Sequence, residues 1–299
     1  MSLTGNNSLL GGSAHETNQP KYTIDQSLRF NDGDSAYLSK AAPGAAGNLD
    51  NWTVSGWFKR GQDTGLLSSS WEYQFFSQGD VSSNPVSTMS FYGSGGDIDK
   101  IVIGLYGTSD SDLVCNWKSA SLYRDHSAWY HVVYAIDTTQ STSTNRQKIY
   151  VNGVLQDRGN TVSDPSQNSY VDFFNNSSKT YYIGRRQAGN YFDGYLAEIH
   201  FIDGYAYDAS YFGYTEQQTG IWRHKKVTGI TYGTNGFYLD FSDNSSITNI
   251  PLDKSGNANN FSPDNCNTED SMLDTPTNNF ATMTPIHGYG GLSQGNLRF

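Results

Sequence analysis

Short stretches of alternating apolar and polar residues, separated by turn residues, recur along most of the chain and constrain its fold more than any other feature. Residues 26–30 and 52–59 place apolar side chains at every second position, which is the period of a half-buried strand. Residues 129–136 are apolar on both faces, as in a central strand that is covered on each side. Helical periodicity is almost absent. The pattern predicts an all-β protein.

Turn chemistry supports this prediction. Asn152-Gly153 supplies the positive φ angles of a type I′ turn between two β-rich runs, so residues 148–155 are predicted to form a hairpin. Only five of the 29 acidic residues are Glu, and the other 24 are Asp, which favours turns and caps. One helical turn is predicted over residues 208–212, with Asp208 as its cap. Many short strands joined by turns are typical of a β-sandwich or jelly roll.

Composition excludes several classes of protein. The 299-residue chain carries a net charge of −10 with scattered Lys and Arg, which is not the footprint of a nucleic-acid binder. No stretch approaches the roughly 20 apolar residues of a membrane helix, and we expect neither membrane insertion nor a secretory signal. Cys115 and Cys266 are the only cysteines, too few for a zinc site or a disulfide framework.

The alternation is confined to the middle of the chain. Residues 1–24 are rich in Ser, Asn and Gly, and beyond residue 265 the pattern fades into turn-rich sequence. We therefore predict an N-terminal arm over 1–24, one sandwich domain over 25–265 and a C-terminal arm over 266–299. Aromatic residues of the second arm, such as Phe280 and Phe299, are expected to dock on a partner.

Four of the strand segments resemble successive core strands of laminin-G-like, concanavalin A-like jelly rolls. In chain order they are WTVSGWFKR (52–60), WYHVV (129–133), KIYVNGV (148–154) and FDGYLAEIH (192–200). The resemblance covers most of residues 25–261 and implies a laminin-G-like β-sandwich, a fold on which relatives bind glycans or calcium.

A narrower resemblance is to virion proteins of tailed, marine-type bacteriophages. It is carried by SLRFN (27–31) with DSAYL (34–38), YGTNGFYLDF (232–241) and DTPTNNF (274–280). It implies a tail fibre, a tail appendage or a capsid-surface component.

The order of the motifs departs from the laminin-G-like pattern. A strand followed by an Asp-x-Ser-Gly-Asn-x-Asn turn usually comes first in the chain, whereas here residues 237–241 and the turn at 253–259 come last. We infer a circularly permuted order in which this late strand pairs beside the one that contains Leu28 and Phe30. Both arms would then leave from one side of the sandwich.

The acidic residues argue against catalysis. Glycan hydrolases on this fold place two Glu four positions apart on one strand face, and no two of the five Glu are so close. Glu198 alternates with Leu196 and His200, so Glu198 and His200 are predicted to share a face, where a structural role is favoured over acid–base work. Cys115 is expected to be a small buried residue. We predict a protein that is not an enzyme and has no cofactor, with calcium as the open alternative.

Calcium is the metal that the loop oxygens favour. The turn at 253–259 offers alternating Asp, Ser and Asn oxygens, although its Gly is misplaced for an EF-hand loop and no Glu closes it. Asp253 is the first candidate ligand of this turn. If the permuted pairing holds, the carboxylates of Asp32, Asp34, Asp240 and Asp243 would converge as a further set of candidate ligands. The alternative is that these residues only make turns.

Sugar binding requires exposed aromatic faces beside amides and carboxylates. Trp71, Tyr73, Trp117 and Tyr123 lie in or near predicted loops and are the candidates for carbohydrate binding. Trp52, Trp57 and Trp129 lie in predicted strands and are expected in the core.

Three functional hypotheses follow. The favoured one is a lectin-like, non-enzymatic module displayed on a virion as a tail fibre or tail appendage that contacts host surface glycan. The second is a capsid decoration or cement protein, and the third is a polysaccharide depolymerase, which the Glu positions disfavour. In the first two, the arms would bind other virion proteins, and the module would be a homo-oligomer made in the host cytoplasm.

Overall fold

The alternating segments form strands in the computed structural model, which describes residues 22–61, 73–79, 87–92, 97–107, 113–159, 163–186 and 190–281. The strands are β1 (Ser27–Phe30), β2 (Tyr37–Lys40), β3 (Asn51–Arg60), β4 (Tyr73–Gln78), β5 (Ser87–Phe91), β6 (Ile101–Tyr106), β7 (Leu113–Lys118), β8 (Tyr130–Asp137), β9 (Gln147–Val151), β10 (Val154–Leu155), β11 (Tyr181–Ile183), β12 (Gly194–Asp203), β13 (Gly213–Thr215), β14 (Trp222–His224), β15 (Phe237–Leu239), β16 (Ser262–Asp264) and β17 (Ser271–Met272).

These strands build two antiparallel sheets, which confirms the predicted sandwich. Within the described residues, the larger sheet has the order β10-β9-β8-β3-β12-β1-β17, with β15 also paired to β12. The second sheet has the order β16-β2-β11-β4-β5-β6-β7, and β13 and β14 form a separate hairpin. Sequential strands are often not neighbours, as expected for a jelly roll.

Helical structure is limited to short 3-10 turns, at Asp32–Asp34, Ser143–Asn145, Ala209–Tyr211 and Thr268–Asp270 in the described part of the chain. The turn predicted near residue 208 is confirmed, and the Asp208 side chain caps it by accepting from the backbone N–H of Ser210 at 2.8 Å. No helix among the described residues has the length and apolar character that crossing a bilayer requires.

The main core lies between the two sheets and is densely aromatic. Trp52, Val54 and Phe58 project from β3 into it, as their alternation predicts, and they meet side chains such as Phe75 and Phe76 of β4. The larger sheet is also covered on its outer face, where Trp57, Trp129, Val133 and Ile202 are among the buried residues of two smaller clusters. This second layer explains why β8 is apolar on both faces.

The predicted hairpin is confirmed at β9 and β10. Asn152 and Gly153 have φ angles of 49° and 78°, as a type I′ turn requires. Gly153 is needed for a second reason, because a Cβ atom there would lie 2.2 Å from the Trp222 ring. The turn thus packs directly on the β13–β14 hairpin, whose Trp222 lies against the outer face of the larger sheet.

A β-bulge in β12 corrects the predicted alternation around Glu198. Glu198 has a φ of 51°, and the register against β3 shifts between Ala197 and His200. Leu196 therefore points into the core, while Glu198 and His200 lie on the opposite side of the sheet. Strict alternation along this strand was wrong, although Glu198 and His200 do share a face.

The permuted pairing is corrected in its detail. β15 does not pair with β1; both strands pair with the same edge of β12, with Leu239 opposite Ile199 and Leu28 opposite Leu196. They follow one another along that edge in the same direction. The late strand β15 therefore lies end to end with β1 and does not lie alongside it.

The chain after residue 265 does not leave the domain at once. β17 pairs with β1, and Asp270, Asp274 and Thr275 are buried, so the described part of the predicted C-terminal arm, up to residue 281, belongs to the sandwich. The boundary at 265 was therefore placed too early. Of the predicted N-terminal arm, Ile24 is buried as well. Residues 1–21 and 282–299, including Phe299, lie outside the described residues.

Candidate functional site

A cleft lined by tyrosines lies on the outer face of the larger sheet. Its floor is formed by β8 and β9, where Ala135 pairs with Lys148, and one wall is formed by residues 205–211. Its volume is about 430 Å³, within the range of small-molecule sites. Its lining includes Tyr150, Tyr205, Tyr207 and Tyr211.

The wall of this cleft is held rigidly by β3. The Thr53 hydroxyl donates to the carbonyl of Tyr205 at 2.8 Å and accepts from the N–H of Tyr207 at 2.8 Å. The following turn is anchored by Ala209 and Phe212, which are buried against Val133 of β8 and its neighbours. Tyrosines on so fixed a backbone lose little conformational entropy when a ligand binds.

The tyrosine rings form a continuous strip. Tyr205 and Tyr207 stack at 5.6 Å with an interplanar angle of 11°, and Tyr207 and Tyr211 lie 4.3 Å apart. Tyr205 is 45% exposed and Tyr211 is 38% exposed, so both side chains reach solvent. Exposed, ordered aromatic faces of this kind commonly mark a ligand surface.

Charged and amide groups surround the strip, among them Asp137, Lys148, Asp208 and the amides of Gln140 and Asn145. The two carboxylates accept hydrogen bonds within their own turns, Asp137 from Thr139 and Asp208 from Ser210. Lys148 makes no ion pair with any residue that the structure describes.

Tyr150 completes the cleft at its base. Burial and, secondarily, the Asp208 carboxylate raise the pKa of its hydroxyl, so Tyr150 is a neutral phenol at physiological pH. A phenol both donates and accepts hydrogen bonds. The cleft therefore offers apolar ring faces flanked by donors and acceptors, the combination that a sugar ring with its hydroxyl groups needs.

A larger cavity, of about 520 Å³, does not offer this combination. It lies between residues 40–45 and the loops at 234–235 and 259–262, and no aromatic ring lines it within the described residues. Lys40 is the one charged side chain in that described lining. The tyrosine cleft is therefore the better candidate for carbohydrate.

The sequence-predicted carbohydrate residues lie elsewhere. Trp117 projects from β7 into the main core and is 2% exposed, and Tyr123 is 6% exposed with its hydroxyl bonded to Gln156. Enclosed rings cannot stack on a sugar, so the prediction was wrong for these two residues. Trp71 and the side chain of Tyr73 lie outside the described residues.

The predicted convergence of carboxylates on calcium was also wrong. No three His, Cys, Asp or Glu side chains in the described part of the chain are arranged to hold a metal, so Asp32, Asp34, Asp240, Asp243 and Asp253 do not form a joint site. Most make local turns instead. Asp34 accepts from Asn31, Asp240 from Ser242 and Asp243 from Ser245, while Asp253 accepts from the backbone of Tyr238 and Ser255.

Glu198 and His200 belong to a buried polar network. The hydroxyls of Tyr22 and Tyr238 donate to the Glu198 carboxyl at 3.0 and 2.8 Å, and the His200 ring stacks on Tyr238 at 4.2 Å. Burial raises the pKa of Glu198 to about 7 and lowers that of His200 to about 3. His200 Nδ1 lies 2.7 Å from the Tyr232 hydroxyl. The predicted structural role is consistent with this enclosure.

Sequence reasoning missed the tyrosine cleft. Its wall is the run Tyr205-x-Tyr207-x-x-x-Tyr211 around the predicted turn at Asp208. Three tyrosines within seven residues of a loop were a visible signal. Their partners on β8 and β9 are more than 50 residues earlier in the chain, and only the fold brings them together.

The family comparison identifies the fold independently. The model of a family described as the concanavalin A-like lectin/glucanases superfamily matches residues 32–208. No curated protein sequence matches the chain.

The chain is also similar to solved structures. A carbohydrate binding protein, proposed as such, from Bacteroides ovatus aligns with a TM-score of 0.52 at 16% identity, covering 81% of this chain and 59% of that one. The heptameric SAP-like pentraxin of Limulus polyphemus aligns at 16% identity with a TM-score of 0.41, covering 62% and 79%. The LG1-3 region of the laminin alpha2 chain aligns at 11% identity with a TM-score of 0.40, covering 60% and 32%.

Proposed function

Because the chain belongs to the concanavalin A-like lectin/glucanases superfamily, we propose that it is a lectin-like module that binds carbohydrate in its tyrosine cleft without cleaving it. The observation that carries this proposal is the strip of exposed Tyr205 and Tyr211 with partly buried Tyr207 between them, fixed beside carboxylate, ammonium and amide groups. Aromatic rings contribute contact area at low entropic cost, and the polar rim would select the pattern of hydroxyl groups.

Binding is favoured over hydrolysis by the position of the acidic groups. A general acid needs a raised pKa and access to the glycosidic oxygen. Glu198 has the raised pKa, yet it is 6% exposed and enclosed by Tyr22 and Tyr238. In the cleft itself, Asp137 and Asp208 cap local turns.

We further propose that the module is carried on the surface of a tailed-phage virion, as a tail fibre or tail appendage, with capsid decoration as the alternative. The support is the resemblance of residues 27–31, 34–38, 232–241 and 274–280 to such proteins. A second support is that the N–H of Ile24 donates to the Thr277 hydroxyl at 2.8 Å. Segments toward both ends of the chain thus meet on one side of the module, where both could attach it to neighbouring subunits.

A glycan array followed by titration calorimetry tests the binding site. Tyr205→Ala and Tyr211→Ala should each weaken binding of the best glycan at least tenfold, about 1.4 kcal/mol, because each removes one stacking face. Tyr170→Ala is the matched control, since Tyr170 is 55% exposed and does not line the cleft. Unchanged affinity in both cleft variants would place the sugar elsewhere. Failure of the native chain to bind any glycan, or its release of reducing ends, would refute the lectin proposal.

Electron microscopy of particles tests the virion proposal. A chain that begins at residue 22 keeps the contacts of Tyr22 and Ile24 and should fold, yet it should fail to join particles if residues 1–21 attach it. Density for the module on the tail supports host contact, and density on the capsid supports decoration. Absence of the full-length module from purified particles would refute both.

A further inference from the structure

The Lys59 amine on β3 is a buried group that the proposed function does not use. Its side chain has no exposed surface, and its Nζ lies 2.7 Å from Asp274 Oδ2 and 2.8 Å from Asn279 Oδ1. Its third contact is with the carbonyl of Phe280, also at 2.8 Å. A lysine is almost never fully buried unless its charge is paired. Here a proton acceptor and an acyl group both lie within hydrogen-bond distance of one potential nucleophile.

The Asp274 carboxylate is held in place by other contacts. Its side chain is 2% exposed, and its Oδ1 accepts from the Trp129 indole N–H at 3.0 Å and from the Phe280 N–H at 3.3 Å. Tyr195 lies opposite Lys59 on β12, with its ring centre 5.9 Å from Nζ. Such an enclosed setting disfavours charge, and moving one proton from Nζ to Oδ2 exchanges two buried charges for two neutral groups.

The acyl group is fixed as well. Asn279 Nδ2 donates to the carbonyl of Ser127 at 2.9 Å, while Oδ1 accepts from Lys59. Because a C=O bond is about 1.2 Å long, Lys59 Nζ lies within about 4 Å of Asn279 Cγ. A small rotation of the amide brings these two atoms to the roughly 3–3.5 Å of a near-attack geometry.

We propose that Lys59 and Asn279 form an intramolecular isopeptide bond, with Asp274 as the catalytic residue. Asp274 Oδ2 accepts one proton from Nζ, and the neutral amine adds to Asn279 Cγ. The new C–N bond is retained while the Cγ–Nδ2 bond breaks, and Nδ2 leaves as ammonia with a second proton from Nζ. The ammonia then takes the proton held by Asp274, which returns to a carboxylate. One amide is formed, one ammonium ion is released, and no other reactant is consumed.

The bond would lock the C-terminal segment onto β3. Lys59 belongs to β3 and Asn279 follows β17, so the closed loop includes most of the sandwich. A covalent link restricts the unfolded chain, and the effect grows with loop length. A chain in which the bond has not formed keeps the ion pair and the amide contact, so the site is the same before and after the reaction except for the bond itself. This inference does not depend on carbohydrate binding.

Intact-mass spectrometry of the purified full-length chain tests the proposal. We expect a mass below the sequence mass by one ammonia molecule, and a protease digest that contains a branched peptide joining Lys59 to Asn279. Asn279→Ala should restore the full mass, because it removes the acyl group and leaves the Lys59–Asp274 pair in place. Asn278→Ala is the matched control and should keep the mass loss, since the Asn278 amide donates to the carbonyl of Leu273.

Each other outcome counts against a stated part of the proposal. If the folded native chain keeps its full sequence mass after incubation, the bond is refuted. A mass loss that persists in Asn279→Ala without a branched peptide would also refute it, and would indicate a succinimide at Asn152-Gly153 or Asn235-Gly236. Asp274→Ala, verified as folded by circular dichroism, should keep the full mass. Formation of the bond in that variant as in the native chain would overturn the catalytic role of Asp274.

Discussion

The C-terminal segment is fastened to the larger sheet by a buried ion pair, and its removal gives the sharpest test of the fold. Lys59 on β3 is fully buried and donates to Asp274 Oδ2 at 2.7 Å, to Asn279 Oδ1 at 2.8 Å and to the carbonyl of Phe280 at 2.8 Å. The other oxygen of Asp274 accepts from the indole N–H of Trp129 at 3.0 Å.

Asp274→Asn should lower the free energy of unfolding by about 3–5 kcal/mol. Asn retains an oxygen for Trp129 but leaves the Lys59 ammonium buried without its counter-charge, which is the costly half of a broken ion pair. Lys59→Met alone should cost a similar amount, since it leaves the Asp274 carboxylate unpaired. The double variant has no buried charge here, so its loss should be only about 1–3 kcal/mol, from unmet acceptors.

Urea unfolding of the native chain, both single variants and the double variant measures the coupling directly. Glu216→Gln is the control, because the Glu216–Arg223 pair is 28% and 31% exposed and should contribute less than about 1 kcal/mol. Two results refute the reasoning. One is a cost below about 1 kcal/mol for Asp274→Asn, and the other is a double variant whose loss equals the sum of the single losses.

Three further outcomes are expected. Glu198 has a pKa of about 7 in the fold against 4.5 when unfolded, so its contribution to the free energy of unfolding is complete below pH 4.5 and is lost as the pH rises through 7. In urea unfolding at pH 4.5 and pH 8, the stability of Glu198→Gln relative to the native chain should therefore increase by up to about 3 kcal/mol between the lower and the higher pH. An equal difference at pH 4.5 and pH 8 would contradict this prediction. Gly153→Ala should lower the midpoint of thermal unfolding, because Gly153 has a positive φ and an added Cβ would clash with the Trp222 ring. An unchanged midpoint would show that the turn and Trp222 can move apart at no cost in stability. A chain ending at residue 265 lacks β17 and Asp274, so its urea midpoint should be lower than that of a chain ending at residue 281. Equal urea midpoints would support a domain boundary at residue 265.

Local signals predicted the parts of the fold that local chemistry decides. The hairpin at Asn152-Gly153, the cap at Asp208 and the two-sided strand β8 each depend on residues within one segment, and each is confirmed. Trp52 was likewise expected in the core and lies between the sheets, whereas Trp129 is buried in a cluster on the outer face of the larger sheet.

Local signals indicated only one wall of the candidate site, the tyrosines at 205–211. Whether Trp117 stacks on a ligand or fills the core depends on which face of β7 meets the other sheet, and alternation alone gives the two faces without saying which is inside. The tyrosine cleft needs Lys148 and Tyr207 to line one cavity, which happens only when residues 205–211 lie over β8 and β9. The segment after residue 265 was wrongly assigned to an arm, because polar contacts such as Lys59–Asp274 attach it to the sheet. Such contacts leave no apolar pattern in the sequence.

The bulge at Glu198 has a structural cause that follows from the order of the strands. One edge of β12 is occupied by two separate segments, β15 and then β1, so the ladder is interrupted between Ile199 and Leu196. Glu198 lies at this break. It accepts a hydrogen bond from Tyr238 of β15 and another from Tyr22, which leads into β1. The buried Glu198 carboxyl, bonded to both segments, bridges this break.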